Sequence, residues 1–332
     1  MTPESADFAS LSISTGDLPV RDRLPFWRED VCRKVVKIDV EPQGDGPFMM
    51  KGRLIALPGL RIMRGTGSDV RYDRTKAMIA EDTDGVGQLG IGIMFGGKGL
   101  FTQRGHNFVL GAGDAATISH GEPGSILHRG TDQLGLAVPI RALTPFVKDV
   151  EGQTARQIPR ESQPLRLLIG YLRLLLSDEP ASPEMGRLAA THVQDLIAMA
   201  IGATRDGAAI AAGRGVRAAR LAAVKSDVLA NLGNERLLVV NIAARQGVSP
   251  RHLHRLFETE GTTFSAFVLN ARLAHVYRML TDPRLTHRKI TAIALAAGFG
   301  DLSYFNRTFR RRYGAPPSEV REQARLSAND AR

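Results

Sequence analysis

Two short segments near the C-terminus carry polar side chains of the kinds that read base pairs in DNA. The side chains expected to contact base edges are Arg251, His254 and Arg255 in the first segment and Ser303, Tyr304, Asn306 and Arg307 in the second. Arginine pairs with guanine, and asparagine with adenine, through two hydrogen bonds in the major groove. The alternative for each residue is a phosphate contact or an ion pair within the protein, and for Arg307 also a structural role.

Residues around these segments suit contacts with the phosphate backbone. The predicted phosphate contacts are Ser249, His252, Asp301, Arg310, Arg311 and Arg312. The three consecutive arginines at the end of the second segment also suit the negative end of a helix dipole, and the two roles are compatible. Backbone contacts position a protein on the duplex without reading its sequence directly.

Both segments belong to a repeat that runs from Val239 to Tyr313. Each copy has a short helix with small residues, then a glycine, then a second helix with apolar residues at matching places. The offset between copies is 51 residues up to the glycine and 52 after it. A glycine able to take the left-handed conformation, followed by a polar N-cap, is typical of a helix-turn-helix. The sequence predicts two such units, at about 239–260 and 289–313.

A connecting helix is predicted between the two units, over about 264–280. It ends at Thr281-Asp282-Pro283, where the proline stops it. At 1.5 Å per residue, this helix spans roughly 25 Å. Adding the displacement of each recognition helix, we expect the two recognition helices about 34 Å apart, one turn of B-DNA. A single chain could then fill two successive major grooves.

The net charge of +10 is unevenly distributed along the chain. Residues 1–213 hold 24 Lys and Arg against 25 Asp and Glu, and residues 214–332 hold 20 against 9. The net charges are therefore −1 and +11. A basic region beside a near-neutral one indicates that one domain meets phosphates while the other has a different task.

The residues from Phe48 to Val138 are rich in glycine and in short apolar runs. The predicted strands are Gly52–Leu57, Leu60–Met63, Gln88–Phe95, Leu100–Thr102, Asn107–Leu110, Ala115–Ser119 and Leu134–Val138. Turn signals such as Pro58-Gly59 and Gly96-Gly97 separate them at close spacing, as in an all-β sandwich or barrel. A helix is predicted before them over Leu24–Val36, with Trp27 as a packing anchor.

Helices are predicted after the β region. Thr144-Pro145 is expected to open a short helix, Pro164–Ser177 to form a second, and Ser182-Pro183 to cap a third that reaches about Ala203. Their apolar faces suit packing on the β domain or a dimer seam, and both alternatives remain open. Residues 206–215, rich in alanine and glycine, are interpreted as an interdomain linker.

Several classes of protein are disfavoured. One cysteine, Cys32, excludes an intramolecular disulfide, and the first 16 residues lack the pattern of a signal peptide, so a cytoplasmic protein is expected. No apolar run approaches the roughly 20 residues of a membrane helix. His106, His120 and His128 lack metal-ligand spacing, and no serine lies in a nucleophile elbow. We therefore expect no catalytic residue, no metal and no cofactor.

The segment from Leu237 to Arg321 resembles the DNA-binding domain of the AraC/XylS family of transcription regulators. The matching residues are Ile242-Ala243-Ala244, Gly247-Val248-Ser249, His252 to Phe257, Arg272-Leu273, Ile293-Ala294, Gly298-Phe299, Ser303-Tyr304-Phe305, Arg307 to Phe309, and Gly314 to Pro317. Family members read bases from the positions that are named above as expected contacts to base edges. The glycine-rich region more loosely resembles the cupin-like ligand-binding domain of many of these regulators.

The resemblance completes the predicted organisation, an α+β fold with two domains. Residues 1–160 would form a cupin-like β-barrel that binds an effector, 161–213 a helical dimerisation or packing segment with the linker, and 214–325 the DNA-binding domain. The expected partners are double-stranded DNA of a promoter or operator and a small-molecule effector, with RNA polymerase if the protein is an activator, and a possible homodimer.

The function that the sequence predicts is a sequence-specific, effector-responsive activator. The alternatives are a repressor, a regulator controlled by a partner protein, and, from another class, a cupin enzyme fused to a DNA-binding domain. Because strand register is not readable from the sequence, the ligand-binding residues and the effector are not predicted.

Overall fold

The computed structural model describes residues 9–82, 87–177, 180 and 182–330, without the side chains of 34–36 and 327–330. The chain divides into two compact units, Met1–Ala219 and Arg220–Arg332. The first combines a β-sheet with helices, and the described elements of the second are all helical. The predicted two-domain α+β organisation is confirmed at this level.

The described part of the first unit contains ten strands, all paired antiparallel. They are β1 (Ala9–Ser14), β2 (Asp39–Pro42), β3 (Met50–Leu57), β4 (Leu60–Gly67), β5 (Val70–Arg74), β6 (Gln88–Gln103), β7 (His106–Leu110), β8 (Ala115–Ser119), β9 (Gly124–Pro139) and β10 (Arg156–Ile158). Seven follow the order β1-β3-β4-β9-β6-β8-β10, while β5 joins β2 to β9, and β7 pairs with β6.

Two long strands, β6 and β9, give the sheet its shape. Each has 16 residues, and their pairing is interrupted by irregularities on both sides of Gly96. The C-terminal part of β9 pairs with β4 and its N-terminal part with β5, so both halves of the sheet share this strand. Bulges bend and twist a strand. Within the described residues the strand path ends at β1 and β10 without joining them, so the predicted barrel is not closed.

The strands agree with the sequence prediction in part. In the central strand β9 (Gly124–Pro139), the sequence predicts only the last part, Leu134–Val138. The strand predicted at Ala115–Ser119 is β8, and the two runs predicted at 88–95 and 100–102 are the ends of the single strand β6. The sequence does not predict β1, β2, β5 or β10. These strands have three to six residues, and their hydrogen bonds come from neighbours distant in sequence.

Along the chain, the helices of the first unit lie between and after its strands. They are α1 (Val20–Phe26), continued by π-helical turns over Trp27–Val36, α2 (Lys76–Glu81), α3 (Ile140–Leu143), α4 (Gln163–Ser177), α5 (Pro183–Ile201) and α6 (Arg205–Ala211), continued by π-helical turns over Ala212–Val216. A short 3-10 turn spans Glu151–Gln153. Ser182 caps α5 by accepting a hydrogen bond from the Met185 amide at 3.3 Å, as its position before a proline predicts.

The prediction for Thr144-Pro145 is wrong. Helix α3 ends at Thr144, and the Thr144 hydroxyl donates to the Ile140 carbonyl at 3.0 Å. The threonine therefore satisfies a carbonyl at the end of one helix instead of capping the start of the next. A hydroxyl that can bond in either direction makes this an ambiguous signal.

The interpretation of residues 206–215 as a linker is also wrong, because this segment is helical. Thr204 caps α6 by accepting from the Gly207 amide at 3.1 Å. Gly207 and Gly215 are buried, and a Cβ at Gly207 would approach the Phe146 carbonyl oxygen to 2.5 Å. The small residues that suggest flexibility here allow close packing of backbones.

The described part of the second unit contains seven helices. The first of them, α7, begins at Arg217, just before the boundary between the two units. They are α7 (Arg217–Ala230), α8 (Val239–Arg245), α9 (Pro250–Glu258), α10 (Phe264–Thr281), α11 (Ile290–Ala296), α12 (Leu302–Tyr313) and α13 (Pro317–Asp330). A 3-10 turn follows α10 at Pro283–Leu285. The boundaries of α10 agree with the predicted connecting helix to within one residue.

Helix α10 contributes to two hydrophobic cores. Phe264 and Val268, in its first half, pack in a cluster with residues of α7, α8 and α9. Leu273, Val276 and Leu280, in its second half, pack in a cluster with residues of α11, α12 and α13. Each helix-turn-helix therefore has its own core, and one helix belongs to both.

Candidate functional site

Helix α9 separates apolar and polar side chains sharply. Leu253, Leu256 and Phe257 are buried in the first cluster. The side chains predicted to contact bases, Arg251, His254 and Arg255, are exposed. Ser249 begins the helix by accepting a hydrogen bond from the His252 amide at 3.1 Å, with Pro250 in the first helical position.

Helix α12 has the same two-sided arrangement. Its buried side chains are Phe305, Thr308 and Phe309, and its exposed ones are Ser303, Tyr304, Asn306 and Arg307. The carboxylate of Asp301 accepts hydrogen bonds from the amides of Ser303 at 2.7 Å and Tyr304 at 2.9 Å. These bonds, with that of Tyr304 first, lower the pKa of Asp301 below its ordinary value.

The residues predicted to contact phosphate lie at the ends of these two helices. Arg310, Arg311 and Arg312 are exposed in the last turn of α12, where a cation suits the helix dipole. Ser249 and Asp301 are exposed at the starts of α9 and α12, while His252 is half-buried. The C-terminal end of α12 is therefore the basic end of this helix.

The turns of the two units use glycines with similar backbones in different surroundings. Gly247 has φ +62° and Gly298 has φ +86°, values that favour glycine. No atom of the described residues lies within 4 Å of a Cβ built at Gly247. A Cβ at Gly298 would overlap the Leu232 carbonyl oxygen and come within 2.8 Å of the Arg272 guanidinium.

Arg272 joins the two halves of this unit. From α10 its guanidinium donates to the carbonyl oxygens of Leu232 at 3.2 Å and Asn234 at 2.7 Å, in the segment that leads from α7 to α8. Gly298, in the second turn, packs against the same Leu232 carbonyl and the same guanidinium. Burial lowers the pKa of Arg272, and the nearby Glu235 opposes that shift. The second turn is therefore held against the first half of the unit.

A cavity of about 220 Å³ lies inside the first unit. Among its walls are the aromatic rings of Trp27, Tyr72 and Phe101 and the imidazole of His128. The Tyr72 and Phe101 rings both meet the His128 ring edge to face, with centroids 5.9 Å apart. Trp27 is 1 % exposed and donates from Nε1 to the Tyr72 hydroxyl at 3.4 Å. The predicted packing anchor is thus also a cavity wall.

The two arginines of the cavity wall, Arg74 and Arg61, are held by hydrogen bonds. Arg74 donates to the Asp82 carboxylate and to the carbonyl oxygens of Lys37 and His120, each at 2.7 Å. Arg61 donates to the side-chain oxygen of Gln88 at 2.8 Å. Because Arg74 and Asp82 are both less than 10 % exposed, their pair is shielded from water.

Two histidines that the sequence leaves isolated, His120 and His128, both line this cavity. Desolvation lowers the pKa of each to about 4, and for His120 the nearby Arg74 and Arg61 add to the effect. Both imidazoles are therefore neutral near pH 7. The described residues contain no group of three His, Cys, Asp or Glu side chains placed to hold a metal ion.

Cys32 lies in the same wall, and burial raises the pKa of its thiol to about 12, with Asp39 adding to the rise. It is therefore a thiol and not a nucleophilic thiolate. The sequence predicts an effector-binding domain but not the residues that line its cavity, because these come from distant strands whose register the sequence does not reveal. None of the helices in the described part of the chain has the length and apolarity needed to cross a membrane.

Comparison with known families gives two matches. A profile described as "Helix-turn-helix domain" matches residues 242–323, and one described as "AraC-binding-like domain" matches residues 27–201. The second covers more than half of the chain.

Two relatives and one solved structure illustrate the similarity. The chain is 30% identical over 330 residues to "Transcriptional activator NphR" of Rhodococcus sp, covering 96% of this chain and 95% of that protein. It is 38% identical over 168 residues to "Transcriptional activator RhrA" of Rhizobium meliloti (strain 1021), covering 49% of this chain and 51%, about half the length, of that protein. The crystal structure of the AraC-like transcriptional activator CuxR has a similar fold, with a TM-score of 0.51 and 18% identity over 81% of this chain and 95% of that one.

Proposed function

The chain belongs to the AraC/XylS family of DNA-binding transcription regulators, and from that membership we propose that it activates transcription in response to a small molecule. The second unit binds promoter DNA, and the first unit binds the effector in its cavity. As an activator, the protein contacts RNA polymerase. It acts in the cytoplasm. Regulation by an effector requires neither a cofactor nor a catalytic group.

The observation that carries the DNA-binding part is the pair of exposed polar faces on α9 and α12. Arg251, His254 and Arg255 on α9 contact base edges, as do the four exposed polar residues of α12. The basic residues around them hold the phosphates, in keeping with the net charge of +11 over residues 214–332. At 18 residues, α10 is about 27 Å long, which suits recognition helices in successive major grooves.

Arg255 and Arg311 separate base reading from phosphate binding. Full-length protein first selects its preferred duplexes from a random pool, and affinities are then measured for a selected and a scrambled duplex across salt concentrations. We expect Arg255→Ala to weaken binding to the selected duplex by about 1–3 kcal/mol, with little change for the scrambled one. Arg311→Ala should weaken both and reduce the salt dependence by about one phosphate contact.

Arg325→Ala, at an exposed arginine of α13 that pairs with Glu322 and is not among the predicted DNA contacts, is the matched control and should change neither affinity. Equal weakening of both duplexes by Arg255→Ala would contradict its assignment as a base contact. A salt-independent affinity of the wild-type protein would contradict the electrostatic basis of binding.

The effector response rests on the cavity in the first unit. A ligand shifts a conformational equilibrium only by its differential affinity for the states. Mapping the bound genomic sites with and without a panel of metabolites tests the response, and transcription in vitro with purified RNA polymerase tests its sign. Increased transcription from a bound promoter supports activation. Decreased transcription would favour the repressor alternative.

The exposed apolar side chains of α4 and α5, Leu174, Met185 and Leu188, suit a homodimer seam. The mass of the full-length protein in solution distinguishes a dimer from a monomer whose helices only pack on the sheet.

A further inference from the structure

We propose that the cavity of the first unit selects a small, uncharged, flat and largely apolar molecule with a hydroxyl group that hydrogen-bonds His128. This inference rests on the proposed effector function and narrows it to a chemical class, of which a substituted phenol is the simplest member. The volume of the cavity, the shape of its floor, its hydrogen-bonding groups and its charges each support this ligand class.

The volume of the cavity suits a single substituted ring. A dry cavity of about 150 Å³ in a protein core holds one benzene molecule. The cavity here has about 220 Å³, which leaves room for a ring with one or two small substituents. Larger ligands, such as a dinucleotide or a lipid, exceed this volume.

The open space lies over a glycine in the middle of the sheet. A Cβ built at Gly135 has only the Met63 carbonyl oxygen, at 3.9 Å, within 4 Å among the described atoms. Its partner across β6, Gly92, also lines the cavity, and the Phe101 ring lies 2.6 Å from where a Cβ on Gly92 would be. The Phe101 ring covers Gly92, and Gly135 beside it leaves a part of the floor without a side chain. Such a floor suits the face of a flat molecule.

The rings of Trp27 and Tyr72 enclose the same space. Gly52 makes room for the indole, because a Cβ there would lie 2.8 Å from the Trp27 ring. Aromatic walls of this kind contribute burial and favourable edge-to-face contacts to an apolar ring.

His128 supplies the polar contact. Its side chain is 2 % exposed, and the described residues offer no hydrogen-bond partner to its Nδ1. Gly99 lies directly opposite on β6, and a Cβ there would be in ordinary contact with Nδ1 at 3.5 Å. Nδ1 is enclosed by neighbouring atoms, so a ligand hydroxyl in the cavity would hydrogen-bond the other ring nitrogen, Nε2. A neutral imidazole can donate from one nitrogen and accept at the other.

The charges at the cavity disfavour an anionic ligand. Arg74 is committed to Asp82 and to two carbonyl oxygens, and Glu122 is paired with Arg104. Arg61, a half-buried cation of the cavity wall, is held by the side-chain oxygen of Gln88. Lys37 lines the cavity with an exposed side chain, so its ammonium remains hydrated. A carboxylate entering the cavity would lose its hydration without gaining a dedicated buried cation.

The sole tryptophan of the chain, Trp27, makes ligand binding directly measurable by fluorescence. Full-length protein is titrated with 4-methylphenol, 1,4-dimethylbenzene and 4-methylbenzoate, which differ only in the group that would meet His128. We expect 4-methylphenol to bind about 3- to 10-fold more tightly than 1,4-dimethylbenzene, the contribution of one hydrogen bond. The benzoate should bind more weakly than either.

Two variants assign the preference to His128. His128→Phe should abolish the difference between phenol and dimethylbenzene while leaving dimethylbenzene within about twofold, because the aromatic contacts remain. His106→Phe, at an exposed histidine of the same unit, should behave as wild type. Gly135→Val should remove binding of all three compounds by filling the space over the floor.

The wild-type comparison of the three compounds needs no variant to fold. Tighter binding of the benzoate, equal binding of phenol and dimethylbenzene, no binding of any compound, or a phenol preference that survives His128→Phe would each overturn the proposal. Binding of the same preparations to selected DNA is measured in parallel. Its loss would count against the proposed function, whereas failure of the ligand series with DNA binding intact counts only against this ligand class.

Discussion

The glycines in the two turns, Gly247 and Gly298, are equivalent in sequence and differ in what an added methyl group would meet. We predict that Gly298→Ala destabilises the second unit much more than Gly247→Ala. Both residues have positive φ, at +62° and +86°. Only the Cβ at Gly298 would overlap a backbone atom, the Leu232 carbonyl oxygen.

The magnitudes follow from the two environments. Holding alanine in the left-handed region costs about 1–2 kcal/mol, and the lower entropy of the unfolded chain offsets about 0.4–1 kcal/mol of this. Gly247→Ala should therefore cost about 1 kcal/mol. At Gly298 the Leu232 backbone and the Arg272 guanidinium must also move, which disturbs hydrogen bonds of 3.2 and 2.7 Å, and overpacking of this kind adds about 1–3 kcal/mol.

Urea unfolding of the full-length protein measures this difference. Circular dichroism at 222 nm follows the helices of both units, while fluorescence of Trp27, which is buried in the first unit, follows that unit alone. The part of the circular dichroism change that the fluorescence does not share is the helical transition of the second unit. With a slope of about 2 kcal/mol per molar urea, the helical transition should move down by about 1–2 M for Gly298→Ala and about 0.5 M for Gly247→Ala. The fluorescence transition should not move in either variant.

Equal shifts of the helical transition in the two variants would refute the reasoning, because the contact with Leu232 would then have no energetic consequence. A shift of the fluorescence transition would show that the substitution acts outside the second unit.

Two further predictions concern the first unit, and Trp27 fluorescence during urea unfolding measures both. Because burial holds the pKa of His120 and His128 at about 4, below the ordinary 6.5, the unfolded chain binds more protons between these values. The free energy of unfolding should thus fall as the pH drops from 6.5 towards 4, by up to about 1.4 kcal/mol per pH unit for each histidine. His128→Phe should reduce this slope. An unfolding midpoint that does not depend on pH would contradict this prediction. Arg214→Ala should lower the free energy of unfolding by about 2–3 kcal/mol, because it removes the partner that lies 2.6 Å from the fully buried Asp195 carboxylate. This value is discounted because the Arg214 side chain is 44% exposed. A loss of stability no larger than that of an exposed ion pair would contradict this prediction.

The recognition helices were predictable from sequence because their apolar period is unambiguous. In α9, Leu253, Leu256 and Phe257 are spaced as one helical face, so the polar residues between them must be exposed. A serine or aspartate before each helix marks its start, and both accept the capping hydrogen bonds in the structure. Which of the exposed side chains read bases is a separate question, since exposure does not distinguish base from phosphate contacts.

The residues that line the cavity were not predictable because their positions depend on strand register. His128 and Gly135 lie on β9, but their partners Gly99 and Gly92 lie on β6, with irregular pairing between the two contacts. A shift of one residue at that irregularity would exchange the faces of every following side chain. Composition was similarly ambiguous for α6, where glycine signals either flexibility or close packing, and only the neighbouring Phe146 backbone decides between them.

The two helix-turn-helix units look alike in sequence, yet their turns have different physical roles. The turn at Gly247 needs only a permissive backbone, whereas the turn at Gly298 is also a packing surface. Because Arg272 bonds to the segment before α8 and also contacts that second turn, loss of packing in one half affects the other. Shared use of α10 by both cores has the same effect. The packing of α9 and the packing of α12 are therefore coupled through α10 and Arg272.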